Sequence, residues 1–185
     1  MNRVVFAVVI AVLALPVLAL AALIGEQERL LLKAQVVNVP LIGVDPRDLL
    51  RGHYIVAQLD WDWESEPTAT EPTALPGGLC VLAGDKPRVR FVDGWKAGDR
   101  AGDGCRMVVA GYASPKTAGT RALFVPDDLD AGSGRINIFV SEELAPKLEK
   151  LMRDRPGSLT VDLAVRADGH AAIKAVRVYG QVLGR

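Results

Sequence analysis

The chain has 185 residues, with 22 Lys plus Arg against 22 Asp plus Glu, so its formal net charge is zero. A chain without excess positive charge lacks the attraction that dominates binding to nucleic acids, so no nucleic-acid partner is expected. Half of the residues are apolar, and the longest uncharged segment lies at the N-terminus. The remaining length, about 155 residues, suits one domain with a single core.

Residues 4–24 form an apolar segment of 21 residues without a charged side chain. As an α-helix, with about 1.5 Å of rise per residue, it would extend for roughly 31 Å, the thickness of one bilayer core. We therefore predict a transmembrane anchor and juxtamembrane helix over residues 1–33, with a possible break at Gly25, and one domain over residues 34–185.

A cleaved signal peptide is the alternative for this segment. Arg3 supplies a short positive start, and Ala19 and Ala21 have the small-x-small spacing that a signal peptidase needs. Signal peptides have shorter apolar regions, of about 7 to 15 residues, which favours an uncleaved anchor. The short tail before the helix favours a cytoplasmic N-terminus and a domain outside the cytoplasm.

Cys80 and Cys105 are the only cysteines, and an even count in an oxidising compartment is commonly one disulfide. The bond would stabilise the fold by roughly 3 kcal/mol by constraining the unfolded chain. Two buried thiols are the alternative. His53 and His170 lack neighbours at ligand spacing, so neither a metal nor another cofactor is expected.

The segment after the anchor predicts a strand over residues 34–39 and an extended turn over residues 41–45. Residues 45–52 have the local chemistry of one helical turn, with Asp45 as N-cap and Gly52 at its end. Residues 53–63 alternate with the period of a half-buried strand. The side chains predicted to face its core are Ile55, Ala57, Leu59 and Trp61.

Further strands recur at short spacing, separated mostly by Gly and Asp. Residues 64–76, rich in Thr, Glu and Pro, are predicted to form a surface loop without chemistry. The glycine-rich residues 94–104 are predicted to form a flexible hairpin connection. They are not expected to form a phosphate-binding loop, because neither a helix start nor a Lys-Ser/Thr pair follows them. The predicted strands span residues 79–83, 88–92, 106–113, 121–125 and 135–140.

Residues 141–153 predict a helix with Ser141 as N-cap and one apolar face. After it, Asp168 and Gly169 separate two alternating runs, residues 159–165 and 171–179, and predict a β-hairpin. The expected fold is mainly β, of the α+β type: an antiparallel β domain with one packed helix. The apolar helix face consists of Leu144, Leu148, Leu151 and Met152.

Two segments carry a family resemblance. Residues 41–59, LIGVDPRDLLRGHYIVAQL, and residues 137–180, from NIFVSEELAPKL to AVRVYG, resemble the opening and closing parts of the GDYXXLXY family of membrane-anchored bacterial proteins. Gly52 and Tyr54 match the first and third motif positions, whereas the others hold His53, Ala57 and Leu59. Apolar alternation persists, so the fold is expected to persist, but His53 lacks the carboxylate of the acid it replaces.

The resemblance implies a companion of a multi-pass membrane protein. With the anchor, it predicts a single-pass protein of the bacterial inner membrane, in contact with the lipid bilayer, with a cytoplasmic N-terminus and a periplasmic domain. Because no complete catalytic set is visible, we expect a non-catalytic accessory or binding subunit rather than an enzyme.

The densest polar set lies around the motif and is the candidate binding region. The alternative function is a membrane-tethered hydrolase that uses Asp48, His53 and Tyr54, with the histidine as general base. Trp63 and Trp95 are candidate interface residues, since indoles favour positions that are partly apolar and partly in contact with water. The candidate binding residues are Asp45, Arg47, Asp48, Arg51, Gly52, His53 and Tyr54.

Overall fold

The computed structural model describes residues 3–43, 54–68, 73–84, 87–117, 120–129 and 135–183, and for residues 3–11 and 54 the backbone alone. Two compact units divide the chain, Met1–Ala34 and Gln35–Arg185.

The first unit contains one α-helix, α1, which spans Arg3–Lys33. The helix continues through Pro16 and Gly25, so the possible break at Gly25 is absent. From Val12 to Ile24, its large apolar side chains are 56–69% exposed. The predicted transmembrane helix gains no support from the described residues, among which no helix is long and apolar enough to cross a membrane.

The second unit is built mainly from β-strands, and a 3₁₀ turn, Asp127–Leu129, follows the seventh. One α-helix, α2, spans Ala145–Asp154. The described strands are β1 Gln35–Gly43, β2 Tyr54–Leu59, β3 Asp62–Ser65, β4 Leu75–Leu82, β5 Arg88–Asp93, β6 Cys105–Ser114, β7 Leu123–Pro126, β8 Ile136–Phe139, β9 Leu159–Val165, β10 Ala171–Val178 and β11 Gln181–Val182.

These strands form two sheets around a shared core. The six-stranded sheet has the order β11-β10-β9-β1-β2-β8, and the five-stranded sheet has the order β3-β5-β4-β6-β7. The pairs are antiparallel except for β3 with β5. Side chains from both sheets and from α2 belong to one apolar cluster. The expectation of a mainly β fold with one packed helix in this domain is therefore confirmed.

The alternating pattern in β2 predicted its core face correctly. Ile55, Ala57 and Leu59 are at most 5% exposed, and Trp61 beyond the strand is 4% exposed. The predicted single strand over residues 53–63 is wrong, however, because β2 and β3 belong to different sheets.

The prediction of a strand followed by a turn at Pro40 is also wrong, because β1 continues through this proline to Gly43. The Pro40 carbonyl accepts a hydrogen bond from the Asp60 amide at 2.9 Å. Proline lacks only the N–H group, so a strand tolerates it where no ladder partner needs that donor.

The soluble helix begins later than predicted. Ser141 is not its N-cap: α2 begins at Ala145 without a side-chain cap, and the Ser141 carbonyl accepts hydrogen bonds from the amides of Leu144 and Ala145. The apolar face is confirmed at its centre, since Leu148 and Met152 are buried. The residues after Ser141 favour a helix start, so the sequence predicted a start one turn too early. In the structure, residues 142–144 form a turn before the helix begins.

The predicted disulfide is present. Cys80 in β4 and Cys105 in β6 are bonded, with their Cα atoms 5.4 Å apart. Residues 94–104 are not a hairpin connection, because they join β5 to β6 and β4 lies between these two strands. Alternation indicated the strands, but not which strands are neighbours.

The β9–β10 hairpin forms as predicted at Asp168 and Gly169. The Arg166 amide donates to the His170 carbonyl at 2.9 Å. Gly169 has a φ of +92°, a left-handed conformation that glycine adopts without strain. The hairpin tip also contacts the other sheet, since the Ala110 amide donates to the Gly169 carbonyl at 2.9 Å.

Candidate functional site

A cleft of the β domain lies where the chain crosses from one sheet to the other. The indole of Trp61 donates to the Phe124 carbonyl in β7 at 3.0 Å, and the two rings meet edge to face at 6.3 Å. This contact directs the chain away from β1 immediately after Asp60. The following residues join the five-stranded sheet as β3, so β1 and β3 diverge from this point.

A cleft of about 820 Å³ lies at this divergence, which we call the crossover cleft. Its volume lies within the roughly 300–1,000 Å³ that is common for ligand sites. Residues 37–40 of β1 form one part of its lining, and Asp60–Glu64 form another. Trp63, predicted as an interface residue, is half-buried there. The remaining lining residues are Glu66, Thr68, Pro87, Lys116 and Arg121.

Acidic side chains outnumber basic ones in this cleft. Lys116 Nζ lies 2.9 Å from Glu66 Oε2, and Arg121 Nη1 lies 3.5 Å from Asp60 Oδ1. The other two lining acids are Asp62 and Glu64, so the cleft has two more carboxylates than basic groups. Exposed ion pairs stabilise a fold by at most about 1 kcal/mol. The cleft is therefore suited to binding a polar, cationic group beside an indole.

The described part of the domain offers no metal centre. Within those ranges, no group of three or more His, Cys, Asp or Glu side chains could hold a metal ion. His170 instead contacts Asp128, with its Nδ1 atom 2.9 Å from the carboxylate. Because the same carboxylate accepts the Ala171 amide at 3.1 Å, this pair attaches the 3₁₀ turn to β10.

The motif region falls mostly outside the described residues. Of its members, Tyr54 is described as the first backbone position of β2, paired with Phe139. Ala57 and Leu59 occupy the fourth and fifth defining motif positions, and both are buried in the core. Those two departures from the motif therefore concern packing. The predicted site residues outside the described ranges are Asp45, Arg47, Asp48, Arg51, Gly52 and His53.

Trp95 lies apart from the crossover cleft, on the face of the five-stranded sheet that points away from the core. A Cβ atom at Gly78 would approach its Cε3 atom to 2.8 Å, and one at Gly169 would approach its Cη2 atom to 2.4 Å. The indole thus packs directly on two backbone segments. Trp95 connects the hairpin tip to the sheet, and its role as an interface residue stays a prediction.

Sequence analysis missed much of this cleft. Residues 64–76 were expected to form a loop without chemistry, yet Glu64 belongs to β3, Glu66 lines the cleft and Leu75 begins β4. One signal was available, because acids occupy every second position from Asp60 to Glu66. No local pattern pointed to Lys116 and Arg121, which only the fold brings near these acids.

Comparison with known proteins identifies the family. The family model described as "GDYXXLXY protein" matches residues 16–176. No curated protein and no solved structure matches the chain. The match covers most of the chain, including residues 41–59 and nearly all of residues 137–180, so the chain belongs to the GDYXXLXY family.

Proposed function

We propose that this GDYXXLXY protein is a single-pass accessory or binding subunit of the bacterial inner membrane. In this proposal α1 anchors the chain, the N-terminus lies in the cytoplasm and the β domain lies in the periplasm. The subunit assembles with a multi-pass membrane protein. The observation that carries the proposal is the apolar, outward-facing surface of α1.

Two properties of α1 support an anchor. The uncharged segment, residues 4–24, has 21 residues in the sequence, close to the roughly 20 that a helix needs to cross a bilayer core. It lies within one continuous helix, Arg3–Lys33, whose apolar side chains from Val12 to Ile24 are largely exposed. Water disfavours such a surface, by about 25 cal/mol per Å² of apolar area, whereas lipid or a neighbouring helix would cover it.

The disulfide supports placement of the domain outside the cytoplasm. Cys80 and Cys105 are bonded, and the described residues include no free cysteine. Disulfides persist in oxidising compartments such as the periplasm and are rare in the bacterial cytoplasm.

The assembly is tested by purifying the tagged full-length protein in mild detergent beside a version with a foreign anchor helix of equal length. We expect the native protein to retain a multi-pass partner. Loss of the partner with the foreign anchor would assign the contact to α1, and retention would assign it to the β domain. If both versions emerge alone as monomers, the accessory-subunit proposal is wrong.

The topology is tested separately with periplasmic and cytoplasmic reporters fused after Lys33 and at the C-terminus. Activity of the periplasmic reporter at both positions is expected. A cytoplasmic C-terminus would contradict the proposed orientation. Mass analysis of the mature N-terminus completes the test, because a start at Ala22 would indicate a cleaved signal peptide instead of an anchor.

A further inference from the structure

One edge of β1 is open beside the crossover cleft. Along one edge, residues 35–40 of β1 pair with β9. Along the opposite edge, β2 pairs with β1 only over residues 41–43. The Asp60 amide makes the last contact, at the Pro40 carbonyl, before the chain departs toward the other sheet. Among the described strands, none pairs with the second edge of residues 35–39.

The register shows which backbone groups face this edge. In an antiparallel ladder, the N–H and C=O of one residue point to the same side, and successive residues alternate. Because the Pro40 carbonyl points toward Asp60, the N–H and C=O of Asn38 point to the same side, toward the cleft. Pro40 itself has no N–H to offer, so Asn38 supplies the nearest strand donor.

The opposite wall presents a second strand edge. β3 is the edge strand of the five-stranded sheet and pairs with β5 alone among the described strands. Consecutive residues of β3, Asp62, Trp63 and Glu64, line the cleft. The cleft therefore lies between two strand edges, one with a free backbone donor and acceptor and one with surplus carboxylates.

We propose that the crossover cleft binds an extended segment of a partner protein that carries Lys or Arg side chains, as an added strand on β1. Its backbone hydrogen-bonds the N–H and C=O of Asn38, and its basic side chains contact Asp62 and Glu64. Side chains of the opposite face pack near Val37, Val39 and Trp63. Addition of a strand to an open sheet edge is an established mode of peptide recognition.

Two observations favour a basic peptide over other occupants. A peptide pairs both the donor and the acceptor of Asn38, whereas a lipid chain would pair neither and a simple cation only the acceptor. The four lining acids exceed Lys116 and Arg121 by two charges, so a basic segment is attracted and an acidic one is repelled. The inference rests on the proposed function for the source of the segment, the multi-pass partner, but its binding is testable alone.

The experiment uses the full-length protein in detergent micelles and a labelled hexapeptide of alternating Lys and Val, blocked at both ends. Binding is measured by fluorescence anisotropy, and protection of the Asn38 amide by hydrogen exchange. We expect saturable binding at peptide concentrations below 1 mM and slower exchange at Asn38. The same peptide with alternate backbone nitrogens methylated should bind about tenfold more weakly, because it loses strand hydrogen bonds.

A matched pair of variants isolates the backbone contact. Asn38→Pro removes the N–H that faces the cleft, and Asn38→Ala removes only the side chain, which bonds Thr160 and Asp162 in the native protein. We expect Asn38→Pro to weaken binding about tenfold relative to Asn38→Ala, as for a lost hydrogen bond with added steric obstruction. Near-ultraviolet circular dichroism verifies that both variants are folded.

The charge contact is tested with Asp62→Asn combined with Glu64→Gln. The double variant should bind the Lys-Val peptide about fivefold more weakly and lose most of the salt dependence. The control combines Glu142→Gln with Glu143→Gln, which removes two acids outside the cleft and should leave binding unchanged.

The proposal is overturned if the native protein does not bind the hexapeptide at 1 mM. It is equally overturned if Asn38→Pro binds like Asn38→Ala or if both double variants weaken binding alike. This assay contains no membrane partner, so it separates the two proposals. Peptide binding without a co-purified multi-pass protein would contradict the proposed function alone, and co-purification without peptide binding would contradict only the cleft proposal.

Discussion

The outer faces of the two sheets are protected in different ways. On the five-stranded sheet, Trp95 packs directly against the backbone at Gly78 and against Gly169 of the β9–β10 hairpin tip, and the Cys80–Cys105 disulfide joins neighbouring strands. On the six-stranded sheet, polar side chains from three adjacent strands satisfy one another. The first solution depends on close apolar contact and the second on hydrogen bonds between side chains.

The polar network is centred on Asp162, which is only 5% exposed. Arg177 Nε donates to one carboxylate oxygen at 2.7 Å, and Asn38 Nδ2 donates to the other at 2.7 Å. Asn38 Nδ2 also lies 2.9 Å from Thr160 Oγ1. A buried carboxylate needs such partners, because an unpaired buried charge is strongly destabilising. We therefore expect substitutions that add atoms to destabilise the fold at the face that carries Trp95. On the six-stranded sheet, we expect destabilisation from substitutions that remove a hydrogen-bonding partner.

The largest effect is expected from Gly169→Ala. The new Cβ would lie 2.4 Å from Trp95 Cη2, at a φ of +92°, so the free energy of unfolding should fall by about 3 to 4 kcal/mol through strain and displacement of the indole. Gly157→Ala is the control, because its φ is +81° but nothing lies within 4 Å of the new atom. Equal losses in chemical denaturation would show that Trp95 adds no steric constraint.

Removal of the disulfide is the next test. Replacing both Cys80 and Cys105 with Ala should lower the free energy of unfolding by about 3 kcal/mol, since the unfolded chain gains freedom. Denaturation of the native protein under reducing and non-reducing conditions measures the same quantity without a substitution. A loss below about 1 kcal/mol, close to the roughly 0.5 kcal/mol of an ordinary surface substitution, would mean that Trp95 packing alone secures this face.

A smaller loss, of about 2 kcal/mol, is expected from Asp162→Ala, because it leaves the Arg177 guanidinium and the Asn38 amide without their shared acceptor. The estimate is modest because the Arg177 side chain is 35% exposed and water can solvate it. A double-mutant cycle with Arg177→Ala should show non-additive losses. Strict additivity would remove the basis for describing these residues as one network.

The smallest effect should come from Thr160→Val, about 0.5 kcal/mol, because the change removes one acceptor while Asp162 still binds Asn38. Thermal denaturation of Thr160→Val, run in parallel with Asp162→Ala, measures this loss of stability. A loss as large as that of Asp162→Ala would show that the network is centred on the threonine rather than on the carboxylate.

Local sequence rules predicted most elements of the β domain and the buried face of β2. They also predicted the hairpin at Asp168 and Gly169, because this pair suits the left-handed turn between two alternating runs. They were wrong at Ser141 and Pro40, where good capping chemistry and a proline suggested boundaries that the backbone does not have. At Ser141 a local turn precedes the helix, whereas at Pro40 the Asp60 amide binds the carbonyl and the strand continues.

The sequence alone determined which side chains of a strand share a face, since that alternation is a property of the extended backbone itself. It also limited any disulfide within this chain to Cys80 with Cys105. Only the tertiary structure decided which strands are neighbours, and thus where β1 has an open edge. That outcome depends on contacts such as the Trp61 indole with the Phe124 carbonyl, 63 residues apart. Alternation cannot encode such a contact, because it is the same whichever strand lies beside it.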